Sequence, residues 1–133
     1  MPINRKLGNR FEIELCETLA DEGFWCHNLA QNADGQPADV IAVKDGIAYL
    51  IDCKVCSRGR FSFNRIEENQ ASSMELWKFC GNGEGLFALD FSGEIYMVGL
   101  QSLWNCRNQH ASMTKEHAAV YGLPLGEWLW ERR

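Results

Sequence analysis

Apolar and polar positions alternate along this chain with two different periods. Between Lys6 and Glu22, Phe11, Leu15, Cys16 and Leu19 recur at helical spacing, with Glu12, Glu14 and Glu17 interleaved. The pattern predicts a helix that stops at Gly23, a natural residue just past a helix end. Phe24 to Leu29 reads as a short strand, and the polar stretch Gln31 to Pro37 as a loop. Two apolar runs follow, Ala38–Lys44 and Ile47–Lys54, joined only by Asp45-Gly46. Asp-Gly between such runs predicts a hairpin with a two-residue type I′ turn. Val55 to Arg60 reads as a basic loop. Asn64 and Glu67 have capping-box spacing before a helix that runs to about Cys80, with Ile66, Met74 and Trp77 toward the core. Leu86–Phe91 and Ile95–Leu100 form a second hairpin around Ser92-Gly93. Helical segments are expected around Ser102–Cys106 and Thr114–Tyr121, ahead of a Trp-rich tail. The predicted order, α-β-β-β-α-β-β-α, makes a mixed central sheet flanked by helices.

Composition narrows the class. The 133 residues fit one domain, residues 1–133, without repeats or a linker. No apolar run approaches the roughly 18–20 residues of a membrane span, and the N-terminus has no apolar signal core, so a cytoplasmic setting is expected. Thirteen basic and eighteen acidic side chains leave a net charge of −5, which excludes a wholly electrostatic nucleic-acid coat. A local basic strip beside an acidic site remains compatible with that balance. The six cysteines read as packing residues in a reducing compartment. Cys53 and Cys56 have C-x-x-C spacing, but no second pair completes a zinc site. They also end a strand rather than open a helix, as a redox pair would.

The hairpin register supplies the chemistry. A two-residue turn sets Lys44 opposite Ile47, Ile41 opposite Leu50, and Asp39 opposite Asp52. Facing Cβ atoms lie about 4.5–5.5 Å apart. Lys54, two residues beyond Asp52, shares its face. Two opposed carboxylates repel unless a proton, an ammonium or a divalent cation intervenes. Carboxylates, a cation and a lysine suit phosphodiester hydrolysis. They suit a glycosidase less, because the lysine would have no role. A turn of odd length would separate the pair.

Ala38-Asp39 followed by Asp52-Cys53-Lys54 resembles the PD-(D/E)xK nuclease core, which has a restriction-endonuclease-like fold. Gly8-Asn-Arg-Phe-Glu12 is similar to the first-helix motif of Holliday junction resolvases, and Phe61-Ser-Phe63 with Glu68-Asn69-Gln70 to RecU-type resolvases. The likeness spans roughly residues 5–122. RecU proteins carry a stalk before the first Asp; here Gln31–Ala38 fills that region, as in archaeal resolvases, which also lack it. The resemblance implies Mg²⁺ or Mn²⁺ held by Asp39, Asp52, the Cys53 carbonyl and Glu12, directly or through water. It implies that Lys54 assists the attacking water and that Gln70 orients water or phosphate. It further implies products with a 5′-phosphate and a 3′-hydroxyl, and a homodimer acting in recombination or repair of DNA, including four-way junctions, in a bacterial or phage-infected cell. Another repair or phage nuclease, or a DNA-binding module of the same fold without activity, stays open.

Arg5, Lys6 and Arg10 on one side, and Arg58, Arg60 and Arg65 on the other, are expected to form a basic rim for phosphates. Phe61 and Phe63 between the arginines are expected to pack rather than stack on bases. His27, His110 and His117 have no spacing that suggests a site. Trp128 and Trp130 are expected to serve a dimer contact, because an exposed Trp pair is unusual on a monomer.

Overall fold

The structure, a computed structural model, describes residues 3–29 and 36–133, with side chains from Asn9 onward. Its elements run α1 (Ile3–Asp21), β1 (Trp25–Asn28), β2 (Val40–Lys44), β3 (Ile47–Val55) and β4 (Arg60–Ser62). A 3-10 turn (Phe63–Arg65), α2 (Glu68–Phe79), β5 (Leu86–Phe91), β6 (Glu94–Gly99) and α3 (Leu100–Arg107) come next. The chain closes with β7 (Ser112–Thr114), α4 (Lys115–Tyr121), β8 (Leu123–Pro124) and α5 (Leu125–Trp130). Six strands form one sheet in the order β1-β2-β3-β5-β6-β8, with β3 and β5 parallel and every other pair antiparallel. The loop expected over Gln31–Pro37 lies mostly outside the described residues.

Strand alternation divides the core into two layers. Val40, Ala42, Ile51, Cys53, Ala88 and Met97 face α1 and α5, packing on Phe11, Leu15, Leu19, Trp128 and Leu129. Leu50, Phe87, Leu89 and Val98 face the opposite way, onto Met74 of α2, Leu103 and Cys106 of α3, and Ala118 of α4. Each fully buried large side chain contributes about 1.5–3 kcal/mol relative to exposure. Gly23 ends α1 as expected: at φ +91° it lets its own N–H reach Ala20 and the Phe24 N–H reach the Leu19 carbonyl, both at 3.0 Å.

Both hairpins have the predicted turns. Asp45 and Gly46 take φ +52° and +78°, and Ser92 and Gly93 take +52° and +96°, the left-handed pair of a type I′ turn. The β2–β3 register sets Lys44 opposite Ile47 and Ile41 opposite Leu50, as the turn requires.

Several expectations change. Asn64 does not cap α2. The helix begins at Glu68 with Glu67 at its cap and no side-chain bond there, while Asn64 accepts from Ser62 within the 3-10 turn. The stretch around Phe61, read without a strand, pairs as β4 with β7. That pairing buries Phe61 and Met113 completely. Phe63 is buried too, so both phenylalanines pack, as expected. Leu100 starts α3 rather than ending β6. Trp128 is not exposed: it stacks on Phe24 at 5.7 Å and lies under Arg132, so of this pair Trp130 alone stands in solvent. Its apolar ring fills the end of the α1-side layer, which no local pattern foretells. His110 and His117 stack with ring centroids 3.9 Å apart, and His117 Nδ1 accepts the Thr114 N–H in a capping box at the start of α4. Cys53 and Cys56 are free and buried.

Candidate active site

The open end of the β2–β3 hairpin carries the acidic cluster. Asp52 and Lys54 stand on the α2-facing side of β3, and Asp39 enters just before β2. The ladder holds its register through Val40 opposite Ile51 and then breaks. The Asp39 N–H donates to the Ile51 carbonyl at 3.1 Å, one step out of register with Asp52. The Asp39 carboxylate therefore turns across the strand end. Its Oδ2 accepts the Cys53 N–H at 2.8 Å, and its Oδ1 accepts from Gln36 at 3.2 Å. It remains close enough to Asp52 to raise that carboxyl's proton affinity. The pair thus meets through its side chains, not through a continued ladder.

Asp52 is fully buried. Gln70 of α2 donates to its Oδ1 at 2.8 Å, and the Lys54 ammonium lies 3.2 Å from its Oδ2. Burial, above all, pushes the Asp52 carboxyl up to about 8; Lys54 opposes the rise and Asp39 adds to it. Glu12, on α1, is pushed up to about 7 by burial and by the neighbouring Asp39 charge, against a hydrogen bond from Asn28 and the Lys54 charge. Three carboxyl groups thus share one ammonium. When all are ionised the site is two charges short of neutrality.

The unsatisfied atoms match that deficit. Gln70 Oε1 and Gln36 Oε1 are buried and accept no hydrogen bond, and the buried Asp52 Oδ2 has only the Lys54 ammonium beside it. All three are hard oxygen acceptors, the donor type that Mg²⁺ and Mn²⁺ prefer. Among the described residues no three His, Cys, Asp or Glu side chains gather to hold an ion. Asp39 and Asp52 are the carboxylates that could hold a cation at the strand end, with Glu12 beside them on α1. Mg²⁺ needs only one or two carboxylates beside water and phosphate oxygens, so the residues fit such a cation.

The basic rim is only partly assembled. Arg58, Arg60 and Arg65 line one open depression with Val55, Ser57 and Ser62, beginning one residue beyond Lys54. Arg65 is held there by the Val55 carbonyl, 2.9 Å away, and lies over the Phe61 ring. Arg10 instead pairs with Glu14 at 3.4 Å on the exposed face of α1. The side chains of Arg5 and Lys6 lie outside the described residues. Two supporting residues were not anticipated, Gln36 and Asn28. Both are lone amides at loop and strand ends, and no sequence signal marks them.

The comparisons with known proteins bear on this arrangement. The family described as archaeal Holliday junction resolvase (hjc) matches residues 3–129. This chain belongs to that family. Its fold is the restriction-endonuclease-like one expected. The chain is 29% identical over 92 residues to a protein of Methanocaldococcus jannaschii named crossover junction endodeoxyribonuclease Hjc. That match covers 68% of this chain and 64% of the relative, so it spans just under two thirds of the curated protein. A crystal structure of Hjc from Archaeoglobus fulgidus, described as a Holliday junction resolvase, superposes with a TM-score of 0.62 at 18% identity. It covers 92% of this chain and 99% of that one, and it carries the fold. The RecU type that the motifs suggested is not singled out by these matches. The named relatives are archaeal, so the bacterial or phage setting gains no support. No helix among the described residues is long and apolar enough to cross a membrane.

Proposed function

We propose that the chain is a divalent-metal-dependent endodeoxyribonuclease that resolves four-way DNA junctions in recombination or repair, working as a homodimer. The observation that carries this reading is the buried Asp39–Asp52–Lys54–Gln70 cluster, with its unsatisfied oxygens, in a member of the archaeal resolvase family. Asp39 and Asp52, with the Cys53 carbonyl, would hold the cation, and Glu12 would assist directly or through water. When bound, the cation supplies Lewis acidity toward the scissile phosphodiester and neutralises carboxylate charge. The protein's own residues do the rest. Gln70 locks the Asp52 rotamer through Oδ1, leaving Oδ2 directed at the site. Lys54, anchored on Asp52, positions the attacking water and stabilises charge building on the phosphorus oxygens. Arg58, Arg60 and Arg65 bind flanking phosphates and set the register of the backbone. A homodimer is favoured because a two-fold junction offers two strands for symmetric cutting.

The test is cleavage of a labelled four-way junction against linear duplex of the same sequence, with Mg²⁺, with Mn²⁺ and with chelator. Junction cutting that needs the metal and leaves 5′-phosphate and 3′-hydroxyl ends supports the reading. Equal cutting of linear duplex removes the junction preference and keeps the nuclease. No cutting with either metal, alongside tight junction binding, points to the binding module.

A further inference from the structure

Beside the acidic cluster, α1 and β1 bring together a second reactive pair. Cys16, on the sheet side of α1, and Cys26, on the edge strand β1, place their sulfurs 2.9 Å apart, the Cys26 S–H donating to Cys16. Both are free and half-buried. A disulfide bond is about 2.05 Å long, so less than about 1 Å of approach separates this pair from a covalent link. Cys16 is also tied to the neighbouring site. Its S–H donates to Asn28 Oδ1 at 3.0 Å, and the Asn28 amide lies close enough to Glu12 to favour its ionised carboxylate.

We propose that Cys16 and Cys26 form a reversible disulfide by exchange with a small-molecule disulfide oxidant, and that this bond releases Asn28 from its anchor beside Glu12. The second half rests on the nuclease reading; the first does not. Cys16 attacks one sulfur of the oxidant as thiolate, expelling one thiol and leaving a mixed disulfide. Cys26 then attacks the Cys16 sulfur and expels the second thiol. Two protein thiols are oxidised, one oxidant disulfide is reduced to two thiols, and the two protons pass to the departing thiolates. The Cys26 hydrogen bond holds the Cys16 thiol below its ordinary range, which favours it as the attacking group. The remaining thiols are poor competitors for an intrachain bond. Cys53, Cys56 and Cys106 are buried with thiols pushed up by burial, and Cys80 is exposed just past the end of α2, beside Ile41 and Leu50. After oxidation Cys16 has no S–H to give, so Asn28 loses the contact that orients its amide toward Glu12. In a reducing compartment such a bond forms under oxidant and is removed by thiols, which is the behaviour of a redox sensor.

The experiment equilibrates the full chain in glutathione buffers of rising oxidised fraction and follows both the bond and junction cleavage. Cys16 and Cys26 lie in one tryptic peptide, residues 11–44, and cutting after Glu17 and Glu22 separates them. The expected result is a loss of about 2 Da from that peptide, with fragments that part only after dithiothreitol. Cleavage is expected to fall at least about fivefold on oxidation and to recover with dithiothreitol, the loss that about 1 kcal/mol for one positioning contact gives. The Cys26→Ser chain should show neither change. Glutathione adducts on Cys16 or Cys26 without the cross-link, or no reaction there while Cys80 is modified, overturn the proposal. A cross-link that leaves cleavage unchanged overturns the coupling to Asn28 and Glu12. A cross-link in a chain that cuts no DNA in either state refutes the nuclease reading and leaves the thiol pair standing.

Discussion

The two hairpins use the same local device and finish with opposite chemistry. β2–β3 and β5–β6 both turn on two left-handed residues, and both registers follow from the turn. Each also carries an aspartate in a strand. In the second hairpin Asp90 sits near the turn, where its Oδ1 accepts the Gly93 N–H at 2.7 Å beside solvent. In the first, Asp52 lies at the far end, fully buried, with Gln70 on one oxygen and the Lys54 ammonium beside the other. The open end of β5–β6 instead sets Leu86 opposite Gly99 and runs straight into α3. The turn therefore decides only which residues meet. Whether a carboxylate is a local cap or a reactive group is decided by what covers it, here α2 with Gln70 and a neighbouring Asp39.

Substituting the two aspartates sharpens that contrast most. Asp52→Asn should lower junction cleavage by about 10³-fold or more, because it removes a carboxylate that faces the cation. Asp90→Asn should leave the rate within about threefold, because its carboxylate serves the Gly93 N–H of the turn and belongs to no contact of the acidic cluster. Comparable losses from both would dissolve the distinction between them.

A stability titration of the metal-free chain separates the same residues by sign. Unfolded, Asp52 has the ordinary carboxylate pKa of about 3.9; folded, burial lifts it to about 8. Between those values the folded chain holds a proton that the unfolded chain has released. Stability should therefore fall as pH rises from about 4 to about 8. Glu12, lifted to about 7, adds to the same slope. Denaturant midpoints should show the fall, Asp52→Asn should flatten it and raise the midpoint at pH 8, and Asp90→Asn should not. Adding Mg²⁺ should raise the midpoint more at pH 8 than at pH 5, because at pH 8 the ion competes with fewer protons for the carboxylates. A midpoint that climbs steadily across that range would contradict the buried, unsatisfied state of Asp52.

The turns themselves should behave alike. Gly46→Ala and Gly93→Ala each force a side chain into left-handed backbone, at a cost of about 1–2 kcal/mol in urea melts. A much larger loss at one of them would mean that the two hairpins are not held by equivalent turns. The smallest effect is expected at two buried cysteines, one in each core layer. Cys53→Ser with Cys56→Ser should keep cleavage within about threefold and leave no bound zinc by metal analysis. Loss of activity together with stoichiometric zinc would replace the carboxylate site by a thiolate one.

The parts that were legible in the sequence are those set by neighbours along the chain. Asp45-Gly46 between alternating apolar runs carries its own turn geometry, and with it the approach of Asp39 to Asp52 and the placement of Lys54. Gly23 and the spacing of Phe11, Leu15 and Leu19 do the same for α1, which brings Glu12 to the site. Gln70 was reached by resemblance rather than by pattern, since a polar residue on a helix gives no hint of being buried. Asn64 misled because capping-box spacing is a local preference, and the β4–β7 pairing prevailed over it by burying Phe61 and Met113.

Turns, helix ends and strand alternation were determined by the sequence itself, because each depends on steric and hydrogen-bond preferences within a few residues. Only the tertiary structure decided that Asp39 leaves the ladder, that Trp128 fills the core, and that Cys16 meets Cys26 across α1 and β1. Those outcomes depend on which distant surfaces exclude water from one another, and no short stretch of chain carries that information.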